Sequence, residues 1–298
     1  MTRFRADAAL ALTAFIWGVA FIAQKQAEDL IPPVTFVAAR FAISGLALAP
    51  FAWFEVRAGG KMLDGRAWRL AGAIGLTLII GSVLQQVGLA TTSATHGGFL
   101  TACYVVLTPL AVWALVGRRP RAIVAVAAGL SLMGAWLLAG GDTDGGVNVG
   151  DGLILLSDIA WALGIAMTPM FLQRAARPFT LAFVQYAICA TLAGLAAPLV
   201  ETSHLADFQA AFWPLMFAGL ASGGVAFTLQ IVAQRYAPPA EAAIILSLES
   251  VFAAVAAAWL LGEQLTPVAA VGCALILASV ALVELGPSLL MGLRRAFA

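Results

Sequence analysis

Ten apolar stretches, each long enough to cross a lipid bilayer, follow one another along this chain with almost nothing between them. A helix spanning the hydrocarbon core needs about 20 mostly apolar residues. Cutting the sequence at charged or Gly/Pro-rich punctuation leaves spans near 7–27, 34–54, 67–89, 93–116, 121–139, 151–173, 178–200, 210–235, 240–261 and 267–286. The longest connections are EVRAGGKMLDGR (55–66) and GGDTDGGVNVG (140–150). Of 298 residues, 62% are hydrophobic and 10% charged, where soluble domains run roughly 45–50% apolar and about 25% charged. Too few polar side chains exist to cover a water-soluble globule, so the expectation is an all-α integral membrane protein, with the lipid bilayer as its first partner. A net charge of +1 gives no reason to expect nucleic acid. The opening MTRFRADAALALTAFIWGV reads as an uncleaved first helix, because its apolar run is too long for a signal peptide and holds Trp17.

The charges test this count. One side of the membrane would receive Arg3, Arg5, Arg57, Lys61, Arg66, Arg69, Arg118, Arg119, Arg121, Arg174, Arg177, Arg235, Arg294 and Arg295. The other would receive Glu28, Asp29, Asp142, Asp144, Glu201, Asp207 and Glu263; only Lys25 and Arg40 fall outside the pattern. A miscount by one span would scramble that alternation. Positive residues stay on the cytoplasmic side, which predicts both termini in the cytoplasm and a plasma-membrane (bacterial inner-membrane) location.

The chain also repeats itself. PPVTFVAARFAI (32–43) aligns with RPFTLAFVQYAI (177–188), pairing Pro33 with Pro178, Thr35 with Thr180 and Arg40 with Gln185. One span earlier, LTAFIW (12–17) aligns with LSDIAW (156–161), pairing Trp17 with Trp161. Each half holds five spans, and an odd number makes the second half enter the membrane from the opposite side. The expected architecture is two five-helix inverted repeats, 1–140 and 150–298, around a central cavity near the midplane.

The second half carries RYAPPAEAAIILSLE (235–249) and then LSLESVFAAVAAAWLLGEQLTPVAAVGCALILASVAL (246–282). With Glu249, Gly262-Glu263, Leu265-Thr266-Pro267 and Gly272, it resembles the ten-helix EamA branch of the drug/metabolite transporter superfamily. The first half has a weaker counterpart in GLATTSATHGGFLTACYVVLTPL (88–110), and it has VGRRPR where the second has GEQLTP. The resemblance spans nearly the whole chain and is nearest to bacterial inner-membrane amino-acid exporters of the YddG type. It implies a cavity surrounded by spans 1, 3, 4, 6, 8 and 9, and export rather than uptake.

Those spans carry the polar residues. Trp53, Trp68, Trp113, Trp136, Trp213 and Trp259 fall near span ends, the usual interfacial position, whereas Trp17 and Trp161 sit near the middle of theirs. On span 1, Thr13, Trp17, Ala20 and Gln24 share one helical face; on span 6, Ser157, Trp161, Gly164 and Thr168 repeat it. Gln85 and Gln86 on span 3, His96, Thr101 and Tyr104 on span 4, Gln230 on span 8 and Glu249 on span 9 complete a candidate substrate cavity with Asp158. Lipid-facing surfaces need none of these groups.

An ionised carboxylate at a span centre costs about 2.5–3.5 kcal/mol on insertion scales, so Asp158 needs a partner. Arg40 is expected at similar depth, each on the order of 10 Å inside, making Arg40–Asp158 a candidate charge pair. Glu249, deeper still, is a candidate for proton coupling. Spans 5 and 10 differ: Ala127, Ser131, Ala135 and Ala139, and Ala270, Ala274 and Ala278, form small-residue stripes suited to close helix packing, either as supports or as a homodimer contact.

No GxxxxGK[ST] loop, CxxC or Cys/His cluster occurs, and Cys103, Cys189 and Cys273 lie singly in apolar runs. No cofactor or metal is therefore expected. Without a GxSxG or paired intramembrane aspartates, an enzyme is disfavoured, and nothing signals a channel filter. The expectation is a secondary transporter that exports small metabolites, foremost amino acids including aromatic ones, by alternating access. Export of cationic aromatic drugs is the alternative, since Trp faces attract cations.

Overall fold

The computed structural model describes residues 1–59, 63–92, 94–139, 148–260 and 266–296, with side chains described for all of these except 94–95 and 286–296. Lys61, Asp142, Asp144, Gly262, Glu263 and Leu265 lie outside the described residues, as do the side chains of Arg294 and Arg295. The spans are α1 (Arg3–Glu28), α2 (Pro33–Ala58), α3 (Gly65–Leu89), α4 (Ala94–Thr101 and Tyr104–Val116) and α5 (Ala122–Leu138). They continue as α6 (Val149–Ala175), α7 (Pro178–Val200), α8 (Phe212–Ala233), α9 (Pro239–Leu246 and Leu248–Leu260) and α10 (Pro267–Ala296). Among the described residues nine of these are long and apolar enough to cross a membrane, and α5 is a shorter apolar helix. Four spans open with proline in the first turn, Pro33, Pro178, Pro239 and Pro267, where its missing N–H is no loss.

The packing follows an inverted twofold. α2 lies against α7 and α5 against α10, while α1 packs on α8 and α9 as its repeat partner α6 packs on α3 and α4. The termini share one face, since Arg3 pairs with Glu284 at 2.9 Å. Arg3 also bonds Asp7 and Glu241 at 2.8 Å, and Arg121 pairs with the same Glu241.

Two reciprocal caps mark the symmetry. A helix start leaves N–H groups unsatisfied. Glu201, just after α7, accepts from Val34 N and Thr35 N (2.8 Å each) and Thr35 Oγ1 (3.0 Å) at the start of α2. Glu55, near the end of α2, accepts from Phe179 N (3.3 Å), Thr180 N (2.6 Å) and Thr180 Oγ1 (2.8 Å) at the start of α7. Lys25, which broke the charge pattern, pairs with Glu28 at 3.0 Å and donates to Leu89 O, the last residue of α3, at 2.7 Å.

Among the described residues, three spans depart from regular α-helix. α4 tightens at Ala102–Cys103 and α9 at Ser247, the same place in the two repeats. α8 widens into a π-helix over Phe217–Phe227. Its carbonyls accept from Ser44 Oγ (Gly219 O, 2.7 Å), Trp17 Nε1 (Ser222 O, 3.3 Å), Tyr186 Oη (Gly223 O, 2.8 Å) and Thr13 Oγ1 (Ala226 O, 3.1 Å). Other helices thus bond directly to this backbone, as wide turns at functional sites allow.

The stripe on α5 is used within the chain: Ala127, Ser131 and Ala135 are fully buried. Gly134 and Gly272 bring α5 and α10 so close that a Cβ on either would lie 2.6 or 2.4 Å from the other's carbonyl oxygen. On α10, Ala270, Ala274 and Ala278 face outward.

Candidate functional site

A cavity lies between the repeats. It is lined by Trp17, Gln24, Gln85, Thr101, Tyr104, Trp161, Gln230 and Glu249, all expected from the sequence, together with Arg40, Phe21, Ile165, Ser222 and Phe227. The six tryptophans at span ends are 40–85% exposed at the surface; Trp17 and Trp161 turn inward to the cavity instead. Phe227 stands between them, its ring 4.5 Å from that of Trp17 and 5.8 Å from that of Trp161. A second pocket shares Trp161, Ile165, Phe227 and Gln230 and continues to Thr77, Thr168 and Gln185.

Arg40 is 3% exposed. It donates to Gln24 Oε1 at 2.8 Å and Ser82 Oγ at 3.4 Å, and its guanidinium lies 4.6 Å from the centre of the Phe41 ring. Its Nε has no hydrogen-bond partner among the described residues. Asp158 is fully buried, and among the described residues neither of its oxygens has a hydrogen-bond donor. The expected Arg40–Asp158 pair therefore does not form. Similar depth did not bring the two together, because Arg40 turns toward α1 and α3 while Asp158 lies within electrostatic reach of Cys103, Tyr104 and Glu249.

Glu249 follows the irregular turn of α9 by two residues, as Tyr104 follows that of α4. The same 145-residue offset that relates Pro33 to Pro178 relates Tyr104 to Glu249. Broken helices at equivalent places commonly aim their ends at a midplane site. Both side chains line the cavity. Gln85 donates to Thr101 Oγ1 at 2.9 Å.

Five expected cavity residues do not line it. Thr13 spends its hydroxyl on Ala9 O and Ala226 O (2.9 and 3.1 Å), and Ser157 bonds Ile154 O at 2.6 Å. Each shares its stripe with a cavity tryptophan, but lies one turn away where the helices are in contact. Gln86 reaches the backbone at Gln24 O (3.4 Å), and the His96 ring packs 5.9 Å from that of Phe99. Asp158 is sealed off. Phe21, Ile165 and Phe227 were missed because apolar residues in an apolar span carry no signal, whereas Ser222 belongs to the polar stripe that span 8 carries with Gln230 and Gln234.

Residues 4–140 and 148–285 both match the EamA-like transporter family. An uncharacterized transporter of Archaeoglobus fulgidus is 35% identical over 95% of this chain and 87% of its own length. The uncharacterized transporter YwfM of Bacillus subtilis is 24% identical over 93% of this chain and 92% of its own. A crystal structure with 18% identity aligns over 95% of this chain and 98% of that chain at a TM-score of 0.76, a likeness of fold.

Proposed function

From the premise that the chain belongs to the EamA-like transporter family, we propose that it is a secondary exporter of amino acids, aromatic ones included, working by alternating access. One observation carries this reading: the cavity presents a guanidinium and a carboxyl together. Arg40 and Glu249 both line it, and among the described residues neither is in an ion pair. A buried cation without a counter-ion favours an anionic ligand group. A zwitterion supplies both complements, its carboxylate to Arg40 and its ammonium to Glu249, while Trp17, Trp161 and Phe227 receive an apolar or aromatic side chain. Arg40 counts against the cationic drugs that tryptophans alone would suit.

Two pockets meeting at the Trp17–Phe227–Trp161 cluster support alternating access, with the aromatic rings as the shared barrier. The arginine-rich face bearing the termini, with Arg57, Arg66, Arg69, Arg118, Arg119 and Arg174, supports a cytoplasmic placement of both ends in a bacterial inner membrane.

The test is counterflow of radiolabelled amino acids in proteoliposomes, against a panel of aromatic cations. Amino acids are expected to exchange, and Arg40→Gln to abolish exchange while inserting normally. Counterflow of cations but not of amino acids, or an Arg40→Gln variant that exchanges like wild type, overturns the reading.

A further inference from the structure

The segment VGRRPR (116–121), where the chain departs from its own repeat, has no part in the cavity. At the 145-residue offset, Arg118, Arg119 and Arg121 stand where the second half has Glu263, Gln264 and Thr266. Thr266 caps the start of α10, its Oγ1 accepting from Ala269 N at 3.1 Å. Arg121 holds the same place before α5, and its side chain makes no such bond. The three arginines instead line a pocket with Pro109 and Val112 of α4, Val124 of α5 and residues 238–241 at the start of α9. The start of α9 also has no side-chain cap. Two helix starts at the pocket thus keep N–H groups that favour an anion.

Three guanidinium groups meet one carboxylate here. That carboxylate, Glu241, is already held by Arg3, 2.8 Å from its Oε2, while Arg121 takes its other oxygen. Arg118 and Arg119 are exposed and, among the described residues, in no ion pair. Arginines that only set topology need charge and nothing more. A pocket with apolar walls and two uncapped helix starts exceeds that role. A second arginine-lined pocket on the same face gives the contrast. Arg66, Arg69 and Arg174 line it, but Asp64 caps α3 there and pairs with Arg174. The occupant follows from the surroundings. Trp113, Leu115 and Val116, in the last turn of α4, are exposed apolar residues, and the Arg119 guanidinium lies 5.7 Å from the centre of the Trp113 ring. The arginines therefore stand at the membrane interface, directly after surface that faces acyl chains. We propose that this pocket binds the headgroup of an acidic phospholipid, its phosphate held by Arg118, Arg119 and the two helix starts and its acyl chains lying along α4 and α5. The site exists whether or not amino acids are the cargo.

The test uses the full-length protein in detergent with no transported substrate, so its outcome is separate from that of the counterflow experiment. Native mass spectrometry measures binding of phosphatidylglycerol and, separately, of phosphatidylcholine. Phosphatidylglycerol is expected to bind saturably and roughly tenfold more tightly or better. The double variant Arg118→Gln with Arg119→Gln is expected to lose that preference. Arg66→Gln with Arg69→Gln, which removes the same charge from the same face, is expected to keep it. Glycerol 3-phosphate, which has the phosphate without acyl chains, is expected not to displace the bound lipid. If the double variant does not fold, Arg118→Gln and Arg119→Gln are titrated singly, and each is expected to lose part of the preference. The proposal is overturned if the two lipids bind alike, if the preference survives in the folded Arg118 and Arg119 variants, or if it falls equally in the Arg66 and Arg69 variant. Displacement by glycerol 3-phosphate also overturns it, by showing a site for soluble anions.

Discussion

At the scale of single residues, the aromatic barrier is set by small neighbours as much as by large rings. Trp161 rests on Gly81, where an added Cβ would fall 2.9 Å from its ring. Gly81→Ala therefore pushes the indole toward Phe227, and transport is expected to fall although no cavity residue has changed. Trp17→Ala and Trp161→Ala are expected to insert normally and lose transport by roughly tenfold or more, combining lost ring contact of about 0.5–1.5 kcal/mol with a leaking barrier. Counterflow with a membrane-insertion control checks all three, and normal transport by both alanine variants removes the cavity from the pathway. The tryptophans were legible in the sequence because a large amphipathic ring far from the interface is anomalous. Gln24, Gln85, Gln230 and Glu249 stood out in the same way, as polar groups that hydrocarbon does not tolerate. What the sequence did not carry was helix rotation. Thr13 and Trp17 share a stripe, yet one faces a neighbouring helix and the other the cavity.

At the scale of elements, α8 is a helix that other helices hold by its backbone. Tyr186→Phe and Ser44→Ala each leave a π-helix carbonyl, Gly223 O or Gly219 O, without its side-chain donor. Each is expected to cost about 1 kcal/mol, the scale measured for hydrogen bonds between membrane helices, and to show as a lower Tm in detergent. Nothing in the local sequence announced the π-helix. It depends on donors from α1, α2 and α7, which come into register only when the fold is complete. Outside the membrane, Asp64 starts α3 by accepting Ala67 N at 2.8 Å, and it also receives the Arg174 guanidinium. The Arg174 hydrogen bonds, and then that of Ala67, hold its carboxyl well below the usual carboxylate range. A depressed folded-state value means the stabilisation is complete above the ordinary aspartate pKa of about 3.9 and is lost as pH falls toward the folded-state value. The Tm difference between wild type and Asp64→Asn is expected to be constant near neutrality and to shrink below about pH 4.

At the scale of the whole molecule, the symmetry is close in backbone and broken in side chains. Arg40 and Ser82 in one half occupy the places of Gln185 and Phe227 in the other, each at the 145-residue offset. A guanidinium hydrogen-bonded to serine on one side of the axis thus corresponds to a glutamine beside a phenyl ring on the other. Moving the charge, in the double variant Arg40→Gln with Gln185→Arg, is expected not to restore exchange, since Phe227 offers no acceptor where Ser82 does; recovery in counterflow would show the two halves to be interchangeable. The ten-span, two-repeat plan was readable because arginine placement and the Pro33/Pro178 match are independent signals that agree. The pairing of α2 with α7 was not, since the two carboxylates that cap it lie beyond the matched segments. Those carboxylates, Glu55 and Glu201, have a consequence for biogenesis. As the ribosome delivers the chain, the start of α2 waits with bare amide groups until some 170 further residues have entered the membrane, as far as Glu201. Neither half closes its own second helix, so a gene cut at the junction between them should yield two pieces that survive proteolysis only when made together.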